Sequence, residues 1–103
     1  MKLLADEDQF DNWQSYFSYE LLKSIKEQLD AAGVPAEQTQ ELTTSIGFSV
    51  SCLLDASADF TIEGKTIKPY LTFSAEDGVL VHQGSPSHLH ECVYGNADEL
   101  FGE

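Results

Sequence analysis

Apolar positions in the first third of the chain recur every three or four residues, which is the spacing of one face of an α-helix. The stripe consists of Phe10, Trp13, Phe17, Leu21, Leu22, Ile25 and Leu29. Asp8 precedes it as a predicted N-cap, and Gly33 follows where a left-handed C′ residue is common. The pattern therefore predicts a helix from Asp8 to Gly33, closed by a Schellman motif in which Val34 meets Leu29.

A second helix is predicted after Pro35, because proline is frequent at the first helical position. Its apolar stripe is Leu42, Ile46, Val50, Leu53 and Leu54. Residues 45–54 also alternate between apolar and small side chains, which is the period of a strand. We prefer the helix because the leucines of the stripe fit only the helical period. Ser45 and Ser49 would then allow the first helix to approach closely.

Two hairpins are predicted beyond Ser57. Phe60–Ile62 and Lys65–Ile67 flank a two-residue turn, which would set Phe60 opposite Ile67. Residues 70–73 and 79–82 flank a longer turn, and pairing Ser74 with Val79 would place the apolar residues on one face.

The C-terminal region predicts short helical turns. Residues 87–94 would form one or two turns that end at Gly95, and Asn96 with Glu99 resembles a capping box for a last short helix. The expected fold class is α+β: two N-terminal α-helices packed on a small antiparallel β-meander, with short C-terminal helical turns. Residues 1–103 are expected to form one domain.

The charge balance limits the classes of molecule that this protein is expected to bind. The chain has 18 Asp and Glu residues against five Lys and no Arg, which gives a net charge of −13. Without a basic patch, direct binding of nucleic acid, of an anionic membrane or of a nucleotide is not expected. A field of this sign attracts basic protein surfaces. General solubility or a salty habitat is the alternative explanation for the acidity.

The chain lacks an apolar run of the length that a membrane span or a signal peptide needs. Two cysteines, Cys52 and Cys92, are too few for a secreted disulfide scaffold, so we expect reduced thiols and a cytoplasmic protein. The glycines are isolated and form no phosphate loop, and no cofactor is expected.

One polar cluster holds residue types that could carry chemistry: His82, His88, His90, Glu91 and Cys92. His88, His90 and Cys92 are the types that bind zinc, but they share one face only in an extended segment and lack a second recognised ligand pair. His88, His90 and Glu91 are the types that a small enzyme or ligand-binding domain would use. No residue is assigned a catalytic, cofactor or metal role.

Exposed aromatic residues beside charge suggest an interaction surface on the first helix. The candidates are Trp13, Tyr16, Tyr19 and Lys23. In the alternative interpretation, the C-terminal segment with Leu100 and Phe101 folds over the two tyrosines within the same chain.

These observations favour a small acidic cytoplasmic protein-interaction module without catalysis, of the inhibitor, antitoxin, immunity-protein or nucleic-acid-mimic type. Its expected partner is a protein with a basic surface, and a homodimer is an alternative assembly. The other hypotheses are the small enzyme or ligand-binding domain and the metal-binding module described above.

Overall fold

The computed structural model describes residues 1–102 and has the predicted α+β class. In chain order the elements are β1 (Lys2–Ala5), α1 (Glu7–Ala31), α2 (Ala36–Leu54), β2 (Phe60–Ile62), β3 (Lys65–Ile67), β4 (Phe73–Glu76), β5 (Val79–His82), a 3₁₀ turn (Leu89–Cys92) and α3 (Val93–Leu100). The two N-terminal helices and the C-terminal helical turns are confirmed. The helices pack on one another, and α1 also contacts β5.

Helix α1 begins earlier than predicted, because the chain enters it directly from β1. The N-cap is Asp6, whose carboxylate accepts a hydrogen bond from the Gln9 amide at 3.1 Å. Asp8, which we predicted as the cap, lies in the first turn instead, where its charge favours the helix dipole.

The C-terminus of α1 is the predicted Schellman motif. The Val34 amide donates to the Leu29 carbonyl and the Gly33 amide to the Asp30 carbonyl, both at 3.1 Å. Gly33 has φ 81°, a left-handed conformation that favours glycine. This turn directs the chain back so that α2 lies against α1.

Residues 45–54 are helical, so the helix prediction is confirmed over the strand alternative, and Pro35 is the N-cap. The predicted contact with α1 is wrong, since Ser45 and Ser49 are exposed. The buried residues of α2 are Thr39, Thr43, Gly47 and Ser51, one on each successive turn. A Cβ at Gly47 would overlap the Leu22 side chain, so glycine is what allows the two helices to approach this closely.

Three of the five residues in the apolar stripe that we predicted for α2 lie outside the core, and the other two, Val50 and Leu54, are half-buried. Leu42, Ile46 and Leu53 are exposed. The buried line on α1 is also displaced from the predicted stripe and consists of Phe10, Gln14, Ser18 and Leu22, whereas Trp13 and Phe17 are half-buried. The buried positions of the two helices are thus mostly small or polar, and at Gly47 the absence of a side chain lets α2 approach Leu22 of α1.

The larger sheet is mixed and has the strand order β1-β5-β4. Strand β1, which the sequence did not predict, pairs parallel with β5 from Lys2 opposite Val79 to Ala5 opposite His82. Four residues carry too little periodicity to reveal a strand whose partner lies far along the chain.

The predicted Ser74–Val79 pairing is wrong. Strands β4 and β5 are antiparallel with Glu76 opposite Val79 and Phe73 opposite Val81, and the register shifts between these pairs. The turn consists of two residues, Asp77 and Gly78, and Gly78 has φ 79°. A two-residue turn extends the strands further than the four-residue turn assumed from the sequence.

Strands β2 and β3 form a second, two-stranded sheet in the predicted register, with Phe60 opposite Ile67. Glu63 has φ 51° and Gly64 has φ 76°, as a type I′ turn requires at both central positions. All six strand residues are exposed. We call residues 59–68 the β2–β3 hairpin.

Helix α3 is continuous through Gly95 and Asn96, so the predicted break and the capping box with Glu99 are wrong. The side-chain amide Nδ2 of Asn96 donates instead to the Ser15 carbonyl of α1 at 2.9 Å, a tertiary hydrogen bond that local sequence does not reveal. Leu22, Val93 and Ala97 form the buried apolar cluster between the helices, and Phe48 and Leu100 pack against it. Within residues 1–102, no helix combines the length and hydrophobicity needed to cross a bilayer.

Candidate functional site

The structure separates the histidines of the predicted polar cluster. His88 lies against α1, where its Nε2 is 2.8 Å from Gln14 Nε2 and 3.1 Å from Asp11 Oδ1. That nitrogen accepts from the amide in one tautomer and donates to the carboxylate in the other. The hydrogen bond from Gln14, with that from His88, lowers the pKa of Asp11. These contacts attach the segment before α3 to the first half of α1.

His90 lies against the end of α2 and binds Asp55, which is buried. The His90 backbone amide donates to Asp55 Oδ2 at 2.9 Å, and the ring Nδ1 is hydrogen-bonded to the same oxygen. The Ser57 amide donates to Oδ1 at 3.0 Å. Burial alone would raise the pKa of Asp55, but the hydrogen bonds from His90 and Ser57 outweigh it, so the pKa lies below its ordinary value.

Ser57, His90 and Asp55 are the residue types of a catalytic triad, but their geometry is different. Ser57 Oγ lies 3.1 Å from His90 Nδ1, the nitrogen that also faces Asp55. In a triad the acid and the nucleophile bind opposite ring nitrogens, so that one orients the ring while the other gives up its proton. Here one nitrogen faces both groups, so the arrangement closes the end of α2 and does not activate Ser57.

The remaining members of the polar cluster do not join these contacts. His82 Nδ1 accepts from the Gly84 amide at 3.0 Å, and Glu91 is exposed. Burial raises the pKa of the Cys92 thiol, and Asp11 and Glu91 add to the effect. Burial and the Asp55 carboxylate likewise raise the pKa of Cys52. Both groups are therefore poor thiolate nucleophiles at neutral pH.

In the described part of the chain, no three His, Cys, Asp or Glu side chains come together as a set that could hold a metal ion. His88 directly precedes the 3₁₀ turn that contains His90 and Cys92, and the two histidines bind different helices. The two histidines therefore connect the C-terminal segment to α1 and to the end of α2.

The aromatic candidate Trp13 is used within the chain. The Trp13 ring meets the Phe73 ring of β4 edge-on, with the ring centroids 6.2 Å apart. The ring centroids of Phe10 and Phe17 lie 5.1 and 5.8 Å from that of Phe73. This cluster joins α1 to the mixed sheet.

Tyr16 and Tyr19 line a cavity of about 540 Å³ between α1 and α3, together with Asn96 and Glu99. Tyr19 is half-buried there, whereas Tyr16 is 67% exposed. Lys23, the charged member of the predicted surface, is also exposed.

The C-terminal segment does approach the tyrosines, but through different residues from those predicted. Leu100 packs on the buried apolar cluster, and the Phe101 ring lies 5.8 Å from Lys26 Nζ. Asn96 and Glu99 are the residues of this segment that share the tyrosine cavity.

A larger groove of about 650 Å³ lies between α2 and α3. Its lining includes Phe48 and Tyr94, whose ring centroids are 5.7 Å apart with an interplanar angle of 43°. Phe48 is partly buried against the apolar cluster, whereas Tyr94 is 60% exposed. The α2–α3 groove is lined by Glu37, Gln40, Glu41, Thr44, Ser45, Phe48, Ser49, Tyr94, Ala97 and Asp98.

The α2–α3 groove is lined by two aromatic rings and by three acidic side chains. Glu37, Glu41 and Asp98 supply three carboxylates, and its ten lining residues include no Lys. Glu37 and Glu41 are one turn apart on α2, and Asp98 is one turn beyond Tyr94 on α3. A cationic side chain bound in the groove would be attracted both by the aromatic rings and by the carboxylates.

Our sequence prediction did not select this groove. The available signal was Phe48, which lies off the main apolar stripe of α2 and so indicated a second packing face on that helix. Glu37 and Glu41 were two of many acids, and only the packing of α3 beside α2 distinguishes them from the rest.

Comparison with protein-family models, with curated proteins and with solved structures finds no match to this chain.

Proposed function

We propose that this protein is a non-catalytic interaction module whose α2–α3 groove binds a basic segment of a protein partner. The observation that carries the proposal is the combination of Phe48 and Tyr94 with three carboxylates in a single groove. Aromatic side chains slow the dissociation of protein complexes, whereas complementary charge speeds their association and fixes their orientation.

Arginine is the partner side chain that suits the groove best. Its planar guanidinium stacks on aromatic faces and binds carboxylates with two parallel hydrogen bonds. A helix that presents Arg on one face would place several such groups along α2, where Glu37 and Glu41 follow one another. The net charge of −13 supports a basic protein over a nucleic acid as the ligand.

A non-catalytic role is supported by the contacts of the residues that could do chemistry. His88 and His90 are held against the carboxylates of Asp11 and Asp55, and both thiols have raised pKa values. The two histidines are occupied in joining the C-terminal segment to α1 and to the end of α2.

The test uses a synthetic amphipathic helical peptide with Arg on its polar face, titrated into the isotope-labelled protein. Amide shifts are expected to concentrate at Thr44, Ser45 and Tyr94. The triple variant Glu37→Gln, Glu41→Gln, Asp98→Asn should weaken binding by about tenfold or more, since each lost charge contact is worth about 0.5–1 kcal/mol. Tyr94→Ala should weaken it by about thirtyfold, as expected for an interface anchor.

A matched control removes three exposed acids elsewhere: Glu7→Gln, Glu27→Gln, Glu76→Gln. Both triple variants have the same net charge, so the control should lose only the long-range attraction. Equal losses in the two variants would show that total charge matters and the groove does not, which would contradict the proposal.

A further inference from the structure

Strand β1 forms one edge of the mixed sheet, and among residues 1–102 its extensive contacts are with β5 alone. All four of its residues are exposed, and its two leucines, Leu3 and Leu4, are 65% and 41% exposed. An open edge carries backbone N–H and C=O groups that have no strand partner, so it is a template on which a further strand can pair.

The hydrogen bonds of β1 show which of its backbone groups face the open edge. The amide of Lys2 donates to the carbonyl just before β5 at 2.7 Å, and the amide of Asp6 donates to the last carbonyl of β5 at 3.0 Å. Successive residues of a strand turn their N–H and C=O groups to opposite sides, so Lys2, Leu4 and Asp6 face β5. The backbone groups of Leu3 and Ala5 therefore point away from the sheet.

The opposite edge of the sheet is less suited to pairing. Strand β4 shifts its register against β5 between Phe73 and Glu76, and an irregularity of this kind bends the strand and interrupts its ladder. Strand β1 pairs with β5 without interruption from Lys2 to Ala5. A further strand therefore fits against β1, and an assembly made through β1 alone closes as a dimer.

The charges along this edge fit a second copy of the same chain. The edge begins at Lys2 and ends at Asp6, whose backbone is still extended with φ −145° and ψ 91°. Two antiparallel copies can therefore set Lys2 of each chain opposite Asp6 of the other, which is a favourable cross-strand pair. The Asp6 carboxylate accepts from the Gln9 amide through Oδ1, and its other oxygen can accept from the lysine ammonium.

The same register satisfies the backbone and avoids opposing like charges. Leu3 then lies opposite Ala5 of the second copy, and their outward N–H and C=O groups exchange both hydrogen bonds of a closely spaced pair. Leu4 lies opposite Leu4 of the second copy. A shift of two residues in either direction would place Leu4 opposite Lys2 or Asp6, so the charges and the leucines select one register.

Pairing in this register would also cover apolar surface. Leu4 shares a cavity of about 240 Å³ with Trp13 of α1 and the buried Val81 of β5, so it lies on the face of the sheet that α1 covers. In a non-hydrogen-bonded pair the opposite side chains come closest together. The exposed part of Leu4 in one chain would therefore contact Leu4 of the other.

We infer that β1 is a self-association edge, at which two copies of this chain pair antiparallel about a two-fold axis with Leu4 opposite Leu4 and Lys2 opposite Asp6. The mixed sheets of the two copies would join into one continuous sheet. The strand shares no residue with the lining of the α2–α3 groove, so this inference and the proposed function can be tested separately.

The first test measures molar mass over a dilution series by sedimentation. We expect a mass about twice 11.4 kDa at high concentration. Hydrogen exchange locates the contact, because the amides of Leu3 and Ala5 should exchange more slowly as the concentration rises. A wild type that stays monomeric at every concentration would overturn the inference, and so would a dimer in which these two amides exchange at an unchanged rate.

The charge pairs are tested by Lys2→Glu, which should raise the dissociation constant by about tenfold or more because both attractive pairs of the dimer become repulsive. The control is Lys68→Glu, which changes an exposed lysine of the β2–β3 hairpin and gives the same net charge. Equal weakening by the two variants would show that only total charge matters. That result, or a dimer unaffected by Lys2→Glu, would contradict the inference.

The register is tested by oxidative cross-linking, with peptide mapping to separate the new disulfide from the native Cys52 and Cys92. Leu4→Cys should form a cross-linked dimer, because opposite residues of a non-hydrogen-bonded pair have Cα atoms about 4.5 Å apart, within the range that a disulfide joins. Leu3→Cys should not, because the two Leu3 positions are diagonal to each other and too far apart. Cross-linking of Leu3→Cys in preference to Leu4→Cys would refute this pairing.

Discussion

The contact between α1 and α2 and the β2–β3 hairpin distribute their residues in opposite ways. Helices α1 and α2 bury Ser18, Thr43 and Ser51, whereas the hairpin exposes Phe60 and Ile62. Polar groups are usually outside and large apolar groups inside, so both regions depart from the common pattern. The helices accept small polar residues because close packing requires them. The hairpin leaves Phe60 and Ile62 exposed because, among residues 1–102, no helix and no strand of the mixed sheet packs extensively on it.

The difference also lies in how each region is stabilised. In the part of the chain that the structure describes, the hydroxyls of Ser18, Thr43 and Ser51 are buried without a hydrogen-bond partner. Each such group reduces stability, and tight packing around Leu22 offsets the loss. The hairpin has its ladder hydrogen bonds and a favourable turn, but little burial.

A comparison of Leu22→Ala with Leu53→Ala tests whether burial, and not hydrophobicity alone, determines how much a leucine stabilises the fold. Leu22→Ala, at a fully buried position of α1, should lower the free energy of unfolding by about 3 kcal/mol. Leu53→Ala, on the exposed stripe of α2, should change it by less than about 0.5 kcal/mol. Urea unfolding followed by circular dichroism measures both. Similar losses for the two variants would show that the α2 stripe is buried in solution.

A second prediction concerns a buried polar group that does have partners. Asp55→Asn should lower the free energy of unfolding by about 2 kcal/mol at neutral pH, because it weakens charge-assisted hydrogen bonds from His90. The pKa of Asp55 is lower in the folded chain than its ordinary value of 3.8. Its contribution is therefore fully present above that value and is lost as the pH falls towards the folded pKa.

The difference between wild type and Asp55→Asn should accordingly shrink as the pH is lowered below about 4, where Asp55 begins to protonate in the unfolded chain. Asp98→Asn, an exposed acid of α3, is the control and should show little change. A difference that stays constant down to pH of about 2 would contradict the role given to the Asp55 carboxylate.

The smallest expected effect has the opposite sign. Thr43→Val keeps the shape of the side chain and removes a buried hydroxyl that has no partner, so it should raise the free energy of unfolding by about 1 kcal/mol. Thr44→Val is the control, since that hydroxyl donates to the Gln40 carbonyl at 2.8 Å and its removal brings no such gain. Thermal unfolding measures both variants. A loss of stability in Thr43→Val would show that the hydroxyl makes a hydrogen bond in solution.

The candidate groove shows how far sequence reasoning reached. The helical character of α2 and the acidity of the chain were predictable from local pattern and composition. That Glu37, Glu41 and Phe48 face Tyr94 and Asp98 was not, because it depends on where α3 packs. His90 and Asp55 illustrate the same limit, since 35 residues separate two side chains that lie in direct contact.

Local sequence was sufficient to predict the two long helices, the Schellman turn at Gly33, the register of the β2–β3 hairpin and the sign of the charge. These follow from interactions within a few residues, such as side-chain periodicity, backbone conformations and caps. Packing between segments that are distant in the sequence sets which helix faces are buried, that β1 pairs with β5, and which acids share a groove. Those outcomes depend on the size of side chains that meet across the fold, and local periodicity contains no information about that fit.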